Sequence, residues 1–245
     1  MKMTEQHRIL VILPAYNEEG KIGHTVKKVL SDPPPGLVTT CLVVDDGSTD
    51  NTLNDARANG ATVMKKDRNE GVGSAIREGI AYASKNAYDI IVVMAGDDQD
   101  VPGEIPAVVA PILDGSFDFV QGSRRLQVRQ TINMPLFRRV TTKIYSLIFK
   151  LMTGFPCTDG TNGFRAFKTN IISNPLINLE QEWLNTYELE PYLFYKTIEA
   201  GYKVCEVQVT KQYHKKIVGY SKMVPFKDWW NILKPIIYLK FGIKK

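Results

Sequence analysis

The sequence predicts an α/β fold in which a mostly parallel β-sheet is flanked by helices. Apolar runs of strand length alternate with longer segments of helical periodicity through the first half of the chain. Three of those runs, ending at Leu13, Val44 and Met94, lead into clusters of acidic and amide residues. Because ligands of open α/β sheets bind outside the carboxyl ends of the strands, the three clusters predict one shared binding site.

The predicted elements follow one another in an order typical of such a sheet. Each predicted strand is a short apolar run bounded by polar or turn residues. The runs are Ile9–Leu13, Cys41–Val44, Ala61–Met64, Asp89–Met94, Phe117–Val120 and Val204–Val209. Helices are predicted at Lys21–Leu30, Thr49–Asn59, Gly73–Lys85, Pro102–Leu113, Leu136–Met152 and Glu188–Ala200, before an amphipathic tail helix within Pro225–Lys245. Ser48 or Thr49 is the expected N-cap of the second helix.

Composition narrows the class of protein. A chain of 245 residues suits one large domain, or one domain with an appendage. Its net charge of +5 favours phosphorylated ligands or an anionic membrane surface, and is too weak to indicate a nucleic-acid partner. Three widely spaced cysteines suggest neither a disulfide framework nor a metal site, so we expect the reducing cytoplasm. The polar N-terminus lacks a signal peptide's apolar core, and no run reaches the roughly 18 to 20 apolar residues of a membrane span.

The residue types at the strand ends indicate a nucleotide ligand. Carboxylates accept hydrogen bonds from ribose hydroxyls and base N–H groups, and they supply hard oxygen ligands to a divalent metal. The alternative for Asp46-Gly47-Ser48 is a simple turn and helix cap. The glycine-rich segment 69–75 lacks the Walker lysine, so we expect its glycines to permit close packing near the nucleotide.

Six motifs occur in the order and context of glycosyltransferase family 2. They are Pro14-Ala15-Tyr16-Asn17-Glu18, Val44-Asp45-Asp46-Gly47-Ser48, Asp97 with Gln99 and Pro102, Gly122-Ser123-Arg124, Asp159 to Phe167, and Gly219-Tyr220-Ser221-Lys222. Over nearly its whole length the chain resembles the dolichol-phosphate mannosyltransferase and polyprenyl-phosphate glycosyltransferase group of that family. The resemblance implies a GT-A-type, Rossmann-like sheet with a C-terminal acceptor region.

The resemblance implies a set of residues that bind the nucleotide-sugar donor. They are Pro14, Ala15, Tyr16, Glu18, Val44, Asp45, Asp46, Gly96, Asp97, Arg124, Lys216 and Lys222. The residues of the first two motifs line the base and ribose, whereas Arg124, Lys216 and Lys222 neutralise phosphate charge. Lys216 stands where the family has arginine, so a point charge replaces a bidentate fork. Without the resemblance, these cations could equally belong to a solvated loop.

The resemblance also implies a divalent metal, Mg²⁺ or Mn²⁺, with Asp97 and Gln99 as ligands. Ala95 replaces the first aspartate of the family's Asp-x-Asp pattern. Asp98 and Asp100 are nearby carboxylates that could compensate, because Mg²⁺ needs few protein ligands when phosphates and waters complete its shell. The replacement also leaves open a degenerate, inactive copy.

On the acceptor side, the resemblance assigns Asp159, Asn162, Arg165 and Ser221. Asp97, Arg124 and Glu190 are the candidate catalytic residues. A hydroxyl acceptor needs a general base, whereas a lipid phosphate is already anionic. We therefore expect inverting transfer of one sugar, mannose or another hexose, from a GDP- or UDP-sugar to a polyprenyl or dolichyl phosphate. The alternatives are transfer to a glycan or protein hydroxyl with Glu190 as base, and a catalytically silent nucleotide-binding or scaffold subunit.

Three regions are expected along the chain. Residues 1–125 form the donor-binding half, residues 126–222 the acceptor-side half of the same catalytic domain, and residues 223–245 the amphipathic tail. Apolar residues of Leu136–Met152 share one helical face, which either packs on the core or rests on a membrane. The tail, with paired tryptophans and several lysines, fits a membrane surface or a membrane-anchored partner subunit. We expect a cytoplasmic protein on the cytosolic face of a membrane, with no nucleic-acid partner.

Overall fold

The computed structural model of the protein describes residues 7–31, 33–34, 37–127, 131–132, 134, 136–213 and 227–245. Strands and helices alternate through most of this length. The strands are β1 (Arg8–Ala15), β2 (Val38–Asp45), β3 (Thr62–Lys65), β4 (Ile90–Val93), β5 (Phe119–Ser123), β6 (Thr131–Ile132), β7 (Arg165–Lys168), β8 (Val204–Gln208) and β9 (Lys211–Gln212). The helices are α1 (Ile22–Ser31), α2 (Thr52–Ala58), α3 (Val72–Lys85), α4 (Ile105–Leu113), α5 (Leu136–Thr153), α6 (Leu189–Glu199) and α7 (Lys227–Lys240).

Seven strands form one sheet in the order β3-β2-β1-β4-β7-β5-β8. Six of them run in the same direction, and β7 is antiparallel to both of its neighbours. β6 and β9 pair in parallel in a separate ladder. The predicted α/β fold with a mostly parallel sheet is therefore confirmed.

Strand β7 is the strand of the seven-stranded sheet that the sequence did not predict. It is only four residues long, and Arg165 and Lys168 at its ends break any apolar run. Because β7 runs against its neighbours, its first residue, Arg165, lies beside Val93 of β4 and Gln121 of β5. The segment before β7 is thereby brought to the edge of the sheet where the parallel strands end.

The core lies on both faces of the sheet. Ile9, Val11 and Leu13 of β1 pack into the cluster that includes side chains of α1, α2 and α4. Leu10 and Ile12 point the other way, into the cluster built with α3, α5, α6 and α7. A strand buried on both faces reads as a continuous apolar run, because successive side chains alternate between two dry faces.

The start of α2 differs from the prediction. The helix begins at Thr52, and Asn51 at its N-cap position makes no side-chain capping hydrogen bond. Ser48 and Thr49 are therefore not caps. Ser48 Oγ instead accepts a hydrogen bond from the backbone N–H of Asn17 at 2.9 Å, and the N–H of Thr49 donates to Asn17 Oδ1. These bonds tie the turn after β2 to the loop after β1.

The predicted amphipathic helices differ in how they pack. The apolar face of α5 is exposed to solvent, and the helix buries Thr142, Tyr145, Ser146 and Phe149 instead. The tail helix α7 buries Ile236 in the core. Among the residues that the structure describes, we find no helix whose length and hydropathy match a segment spanning a bilayer.

Candidate functional site

The carboxyl ends of β1, β2 and β4 meet at one edge of the sheet. β1 lies between β2 and β4 and pairs in parallel with both. Ala15 therefore stands beside Asp45, and Ile12 stands beside Val93. The three polar clusters predicted from the sequence converge because parallel pairing places the carboxyl ends of all three strands on the same side.

A cavity of about 490 Å³ opens at this edge. Its lining comprises Pro14, Ala15, Tyr16, Glu18, Asp46, Asn69, Gly71, Val72, Ala75, Thr186, Tyr187, Asp228 and Asn231. The volume falls within the range of roughly 300–1,000 Å³ that holds small ligands. Another cavity, of about 430 Å³, lies beside His7 and Asp89 at the amino ends of β1 and β4. Ligands of α/β sheets bind at the carboxyl ends, so we assign the site to the first cavity.

Asp46 lies in the cavity wall and is held by a buried ion pair. Its Oδ1 is 3.0 Å from Lys66 Nζ, and the two side chains are only 4% and 5% exposed. Its Oδ1 and Oδ2 also accept the backbone N–H groups of Glu70 and Gly71, at 3.1 and 2.8 Å. Burial acts to lower the pKa of Lys66, but its hydrogen bonds with Glu70 and Asp46 outweigh that effect and raise the pKa. The Asp46 carboxylate is therefore fixed against a charged ammonium.

The neighbouring Asp45 is fully buried and does not line the cavity. Its Oδ1 accepts the backbone N–H of Ser48 at 3.0 Å, and its Oδ2 has no hydrogen-bond partner within the described part of the chain. Val44 is also buried, in the core beneath them. Of the two predicted aspartates, Asp46 is the one that a ligand in the cavity can reach.

The other predicted donor residues lie at the end of β1. Glu18 is largely buried, and its Oε2 lies 2.9 Å from Lys21 Nζ. Gly96 packs closely on this segment, since a Cβ there would lie 3.1 Å from the carbonyl oxygen of Pro14. The acidic loop thus packs against the first motif, but neither Gly96 nor Asp97 is among the residues that line the cavity.

The glycine-rich segment packs as the sequence predicted. Gly71 has φ +107°, and a Cβ there would lie 2.5 Å from the carbonyl oxygen of Asn185. A Cβ at Gly73 would lie 2.2 Å from the carbonyl oxygen of Leu184. A side chain at either position would push the 184–187 segment away, and that segment supplies Thr186 and Tyr187 to the cavity.

Among the described residues, Gln99 is the one that donates hydrogen bonds to the Asp97 carboxylate. Asp97 Oδ1 accepts the backbone N–H of Gln99 at 3.2 Å, and Oδ2 accepts Gln99 Nε2 at 2.7 Å. Burial raises the pKa of Asp97; the nearby charge of Lys211 opposes this rise, and the charges of Asp100 and Glu18 add to it. Gln99 thus orients the Asp97 carboxylate, and its predicted role as a metal ligand stays a prediction.

The other two aspartates of this loop are bound to cations. Asp98 has φ +59° and lies 2.8 Å from His24 Nδ1 and 3.3 Å from Lys28 Nζ. Asp100 Oδ1 lies 2.9 Å from Lys211 Nζ, and its Oδ2 accepts the backbone N–H of Ala95. Both carboxylates that could compensate for Ala95 are therefore paired with a cation of the protein, and compensation stays a prediction.

The described residues fit a divalent metal that is bound mainly by its nucleotide. Among them, no group of three histidine, cysteine or carboxylate side chains is arranged to hold a metal ion. Of the three aspartates in this loop, Asp97 is the one without an ion pair to a described residue, and Mg²⁺ is often held by one or two carboxylates together with substrate phosphates and waters. Asp97 therefore remains the predicted protein ligand of such a metal.

Arg124 and Asp159 form a buried bidentate ion pair. Nε and Nη2 of Arg124 lie 2.5 and 2.6 Å from the two carboxylate oxygens of Asp159. Burial opposes both charges, but their mutual attraction lowers the pKa of Asp159 and raises that of Arg124. Nη1 of Arg124 also donates to the hydroxyl of Tyr213. The pair joins the end of β5 to the loop before β7, and direct contact of either residue with a ligand stays a prediction.

Asn162 and Arg165 are almost fully buried and hydrogen-bond to the backbone around them. Asn162 Nδ2 donates to the carbonyl oxygen of Gly122 at 3.0 Å. Arg165 holds the start of α6, because its Nη1 donates to the carbonyl oxygen of Glu190 and its Nη2 lies 3.1 Å from Glu190 Oε1. The Glu190 side chain is 18% exposed, more than the side chains of Asn162 and Arg165.

Sequence reasoning missed part of the cavity wall. Tyr187 lines the cavity, where burial, followed by the charges of Asp228 and Glu190, raises its pKa to about 12. Asp228 and Asn231 of α7 complete that wall. Asp228 carried a signal that could have been used, because it is the one acidic residue in a lysine-rich tail.

Three predicted residues cannot be placed. Ser221, Lys216 and Lys222 lie outside the described residues. Their predicted roles at the donor phosphates and on the acceptor side stay predictions.

Comparison with known proteins agrees with this geometry. The model of the family described as "Glycosyl transferase family 2" matches residues 10–174. An undecaprenyl-phosphate mannosyltransferase of Micrococcus luteus is 28% identical, over 88% of this chain and 87% of that protein. A UDP-N-acetylglucosamine–dolichyl-phosphate N-acetylglucosaminyltransferase of Methanococcus voltae is also 28% identical, over 92% of this chain and 94% of its own.

A solved structure shares the fold. Glucosyl-3-phosphoglycerate synthase from Mycobacterium tuberculosis, crystallised with Mn²⁺, uridine diphosphate and glucosyl-3-phosphoglycerate, superposes with a TM-score of 0.71. The alignment covers 98% of this chain and 81% of that chain, at 21% sequence identity. At this identity the likeness establishes the fold alone.

Proposed function

The chain belongs to glycosyl transferase family 2, and from that premise we propose that it transfers one sugar from a nucleotide-sugar to a polyprenyl phosphate. The observation that carries the proposal is the cavity in which the acidic ends of the parallel strands meet Tyr187 and Asp228. Its volume suits a nucleotide, and its carboxylates suit hydroxyl and N–H donors.

The donor nucleoside occupies the part of the cavity formed by the first two motifs. Asp46 and Glu18 accept hydrogen bonds from the base or the ribose, and Tyr16 packs against the base. Lys66 keeps the Asp46 carboxylate in place for this role. The donor is a GDP- or UDP-sugar that carries mannose or another hexose.

The acceptor is a lipid phosphate. The two relatives described above carry undecaprenyl phosphate and dolichyl phosphate in their names, which supports this choice. A phosphate oxygen attacks the anomeric carbon, the bond from that carbon to the diphosphate breaks, and the nucleoside diphosphate leaves with inversion. The nucleophile is already anionic, so no side chain has to remove a proton from it.

Charge develops on the leaving diphosphate during this step. A bound Mg²⁺ or Mn²⁺ would offset that charge as a Lewis acid. Asp97, oriented by Gln99, is the carboxylate that would hold the metal next to the diphosphate. Arg124, Lys216 and Lys222 are the proposed cations for the remaining phosphate charge.

The proposed acceptor also indicates where the enzyme works. Polyprenyl phosphates reside in membranes, so the enzyme works at a membrane surface. We assign it to the cytosolic face, where nucleotide-sugars are available.

A donor and acceptor screen tests the proposal. Purified protein is incubated with labelled GDP-mannose or UDP-sugars, a polyprenyl phosphate and Mg²⁺ or Mn²⁺, and labelled lipid is extracted. We expect lipid product for one donor, and loss of about 10²-fold or more in rate for Asp97→Asn because an electrostatic contact to developing charge is removed. The absence of labelled lipid for every pairing would contradict the lipid acceptor.

Two other functions predict different outcomes. The Glu190 side chain is 18% exposed, and if it acted as a base, transfer to a glycan or protein hydroxyl would yield labelled glycan and would be lost in Glu190→Gln. Ala95 favours a silent copy, because Asp98 and Asp100 already serve cations. Calorimetry showing tight nucleotide binding that is independent of metal, together with no turnover, would support that copy.

A further inference from the structure

Helix α5 presents a broad apolar face to solvent. Its exposed apolar side chains are Leu136, Phe137, Val140, Ile144, Leu147 and Leu151, between 48% and 73% exposed. At 3.6 residues per turn, these positions fall within an arc of about 100°. In a surface helix, an apolar stripe of this width normally packs against the core. Here it faces outward, because the opposite side, with Tyr145 and Phe149, is the one that the core buries.

Basic side chains border this apolar face. Arg139, Lys143 and Lys150 are exposed and lie along one side of the arc. α5 contains no aspartate or glutamate. An apolar stripe flanked by cations, without an acid, is the pattern of a helix that lies in the interface of an anionic membrane.

The exposed apolar residues of the protein are concentrated around this helix. Of the twelve exposed large apolar residues within the described ranges, six belong to α5 and three more, Trp230, Phe241 and Ile243, belong to the C-terminal segment that packs beside it. Contiguous apolar surface of this kind marks an interaction site, whereas scattered single residues do not.

A groove of about 260 Å³ continues the apolar surface between α5 and α7. Its lining is almost entirely apolar and includes Ile144 and Ile148 of α5 and Trp229 and Trp230 of α7. The same helix α7 supplies Asp228, next to Trp229 in sequence, to the wall of the cavity. The apolar surface and the cavity therefore lie on either side of one helix.

We propose that the exposed face of α5, with the exposed residues of the C-terminal segment, docks on the surface of an anionic lipid bilayer. The occupant follows from charge and chemistry: the apolar arc inserts among acyl chains while the flanking cations contact lipid headgroups. This docking goes beyond the transfer reaction. One consequence of the docking rests on the proposed function: a lipid acceptor can present its phosphate to the cavity while its chain stays in the bilayer.

Vesicle binding tests the docking without requiring turnover. Wild-type protein is sedimented with vesicles of phosphatidylglycerol and phosphatidylcholine, or of phosphatidylcholine alone, with no polyprenyl phosphate present. We expect binding to the anionic vesicles that weakens as salt rises, because the cationic contribution is screened. Failure to bind anionic vesicles at low salt would overturn the proposal.

Two matched sets of variants localise the contact. Ile144→Asp combined with Leu151→Asp should lower vesicle partitioning about tenfold or more, whereas Val38→Asp, at an exposed apolar position at the start of β2, should not.

The second set tests the flanking cations. Lys143→Gln with Lys150→Gln should lower binding to anionic vesicles about tenfold, whereas Lys27→Gln with Lys85→Gln on α1 and α3 should not. Circular dichroism confirms folding of each variant, since all the changed side chains are exposed. Equal binding by the α5 variants and wild type would refute the assignment.

Two further readouts separate this proposal from its rivals. Light scattering after chromatography reports the oligomeric state, and a wild-type dimer that Ile144→Asp dissociates would make this face a contact between copies of the chain and overturn membrane docking. Transfer to a short, water-soluble prenyl phosphate should be equal in wild type and the α5 variants. Transfer to a long-chain acceptor in vesicles should fall in the variants. Vesicle binding without any transfer would contradict the proposed function and leave the docking intact.

Discussion

Buried ion pairs at strand ends are the main device of the site at the scale of single residues. Lys66 with Asp46, Lys211 with Asp100 and Arg124 with Asp159 each place a cation against a carboxylate in a nearly dry environment. Such pairs add little net stability, because the cost of desolvation offsets the attraction between the charges. Removing one partner is nevertheless destabilising, because it leaves the other charge buried without a counter-ion. Their consequence is positional: the carboxylates at the ends of β2 and β4 and the loop before β7 are held in fixed orientations.

Replacing Lys66 tests this at the donor side. Lys66→Met leaves the Asp46 carboxylate buried without its counter-ion, so we expect a loss of about 3–5 kcal/mol in the free energy of unfolding. Urea denaturation followed by circular dichroism measures it. Lys65→Met, at the exposed neighbouring position, is the control and should change stability by less than about 0.5 kcal/mol. A loss below about 1 kcal/mol for Lys66→Met would show that Asp46 does not depend on this partner.

Asp97 should carry a cost to stability that depends on pH. Its pKa is raised in the folded state, mainly by burial, so the native protein binds this proton more tightly than the unfolded chain does. The cost of ionising it is absent below the unfolded value of about 3.9 and grows as pH rises through the folded value. In buffer with a metal chelator, Asp97→Asn should therefore melt at a higher temperature than wild type at pH 7.

The difference in melting temperature between Asp97→Asn and wild type should close as the pH falls toward about 4, where the carboxyl group is protonated in both states. Thermal melts across the pH range measure it. Asp98→Asn, in the same loop, removes a carboxylate that is paired with His24 and Lys28, and should not raise the melting temperature. An Asp97→Asn variant that melts below wild type at pH 7 would contradict the assigned direction of the pKa.

At the scale of elements, helix α7 contributes side chains to the cavity, to the core and to the solvent-exposed surface. Asp228 and Asn231 line the cavity, Ile236 and Leu239 lie in the core, and Trp230 is exposed beside α5. The tail is therefore part of the folded body and also presents an apolar side chain to solvent. A polar contact also anchors it, because Lys234 Nζ lies 2.6 Å from Glu188 Oε1.

The structural share of α7 can be measured with two matched isoleucines. Ile236→Ala removes a fully buried side chain and should cost about 2–5 kcal/mol of unfolding free energy. Ile243→Ala, at a position 58% exposed, should cost almost nothing. Chemical denaturation of both variants gives the comparison. Equal stabilities would mean that α7 is not docked in solution.

At the scale of the whole molecule, one sheet joins the two halves of the chain. β7 and β8 come from the second half, yet β7 lies between β4 and β5 of the first. Without β7, those two strands lose the neighbour that links them. The described residues that are predicted to bind donor and acceptor are thus held by a shared hydrogen-bonded framework.

This topology predicts how a fragment behaves. Residues 1–125 alone contain β1 to β5 but lack the strand that joins β4 to β5, so we expect no cooperative unfolding transition from that fragment. The full chain should unfold in a single transition. Calorimetry and near-ultraviolet circular dichroism distinguish the outcomes. Cooperative melting of the fragment would show that the first half folds independently.

Much of this architecture was accessible from local pattern. Apolar runs such as Ile9–Leu13 and Cys41–Val44 identified buried parallel strands, because both faces of such strands exclude water. β7 escaped prediction because four residues with a charge at each end carry no periodic signal. The predicted N-cap of α2 was wrong because Ser48 accepts a hydrogen bond from Asn17, which belongs to another loop.

The sequence by itself determined the alternation of strands and helices, the polar clusters at the strand ends, and the family. Each of these depends on residues that are neighbours along the chain, where spacing and side-chain type act directly. Only the tertiary structure decided which carboxylates line the cavity and which form ion pairs with Lys66, Lys211 and Arg124. It also decided which face of α5 is exposed to solvent. Those outcomes depend on contacts between distant segments, and an amphipathic pattern records that a helix has an apolar side without recording what covers it.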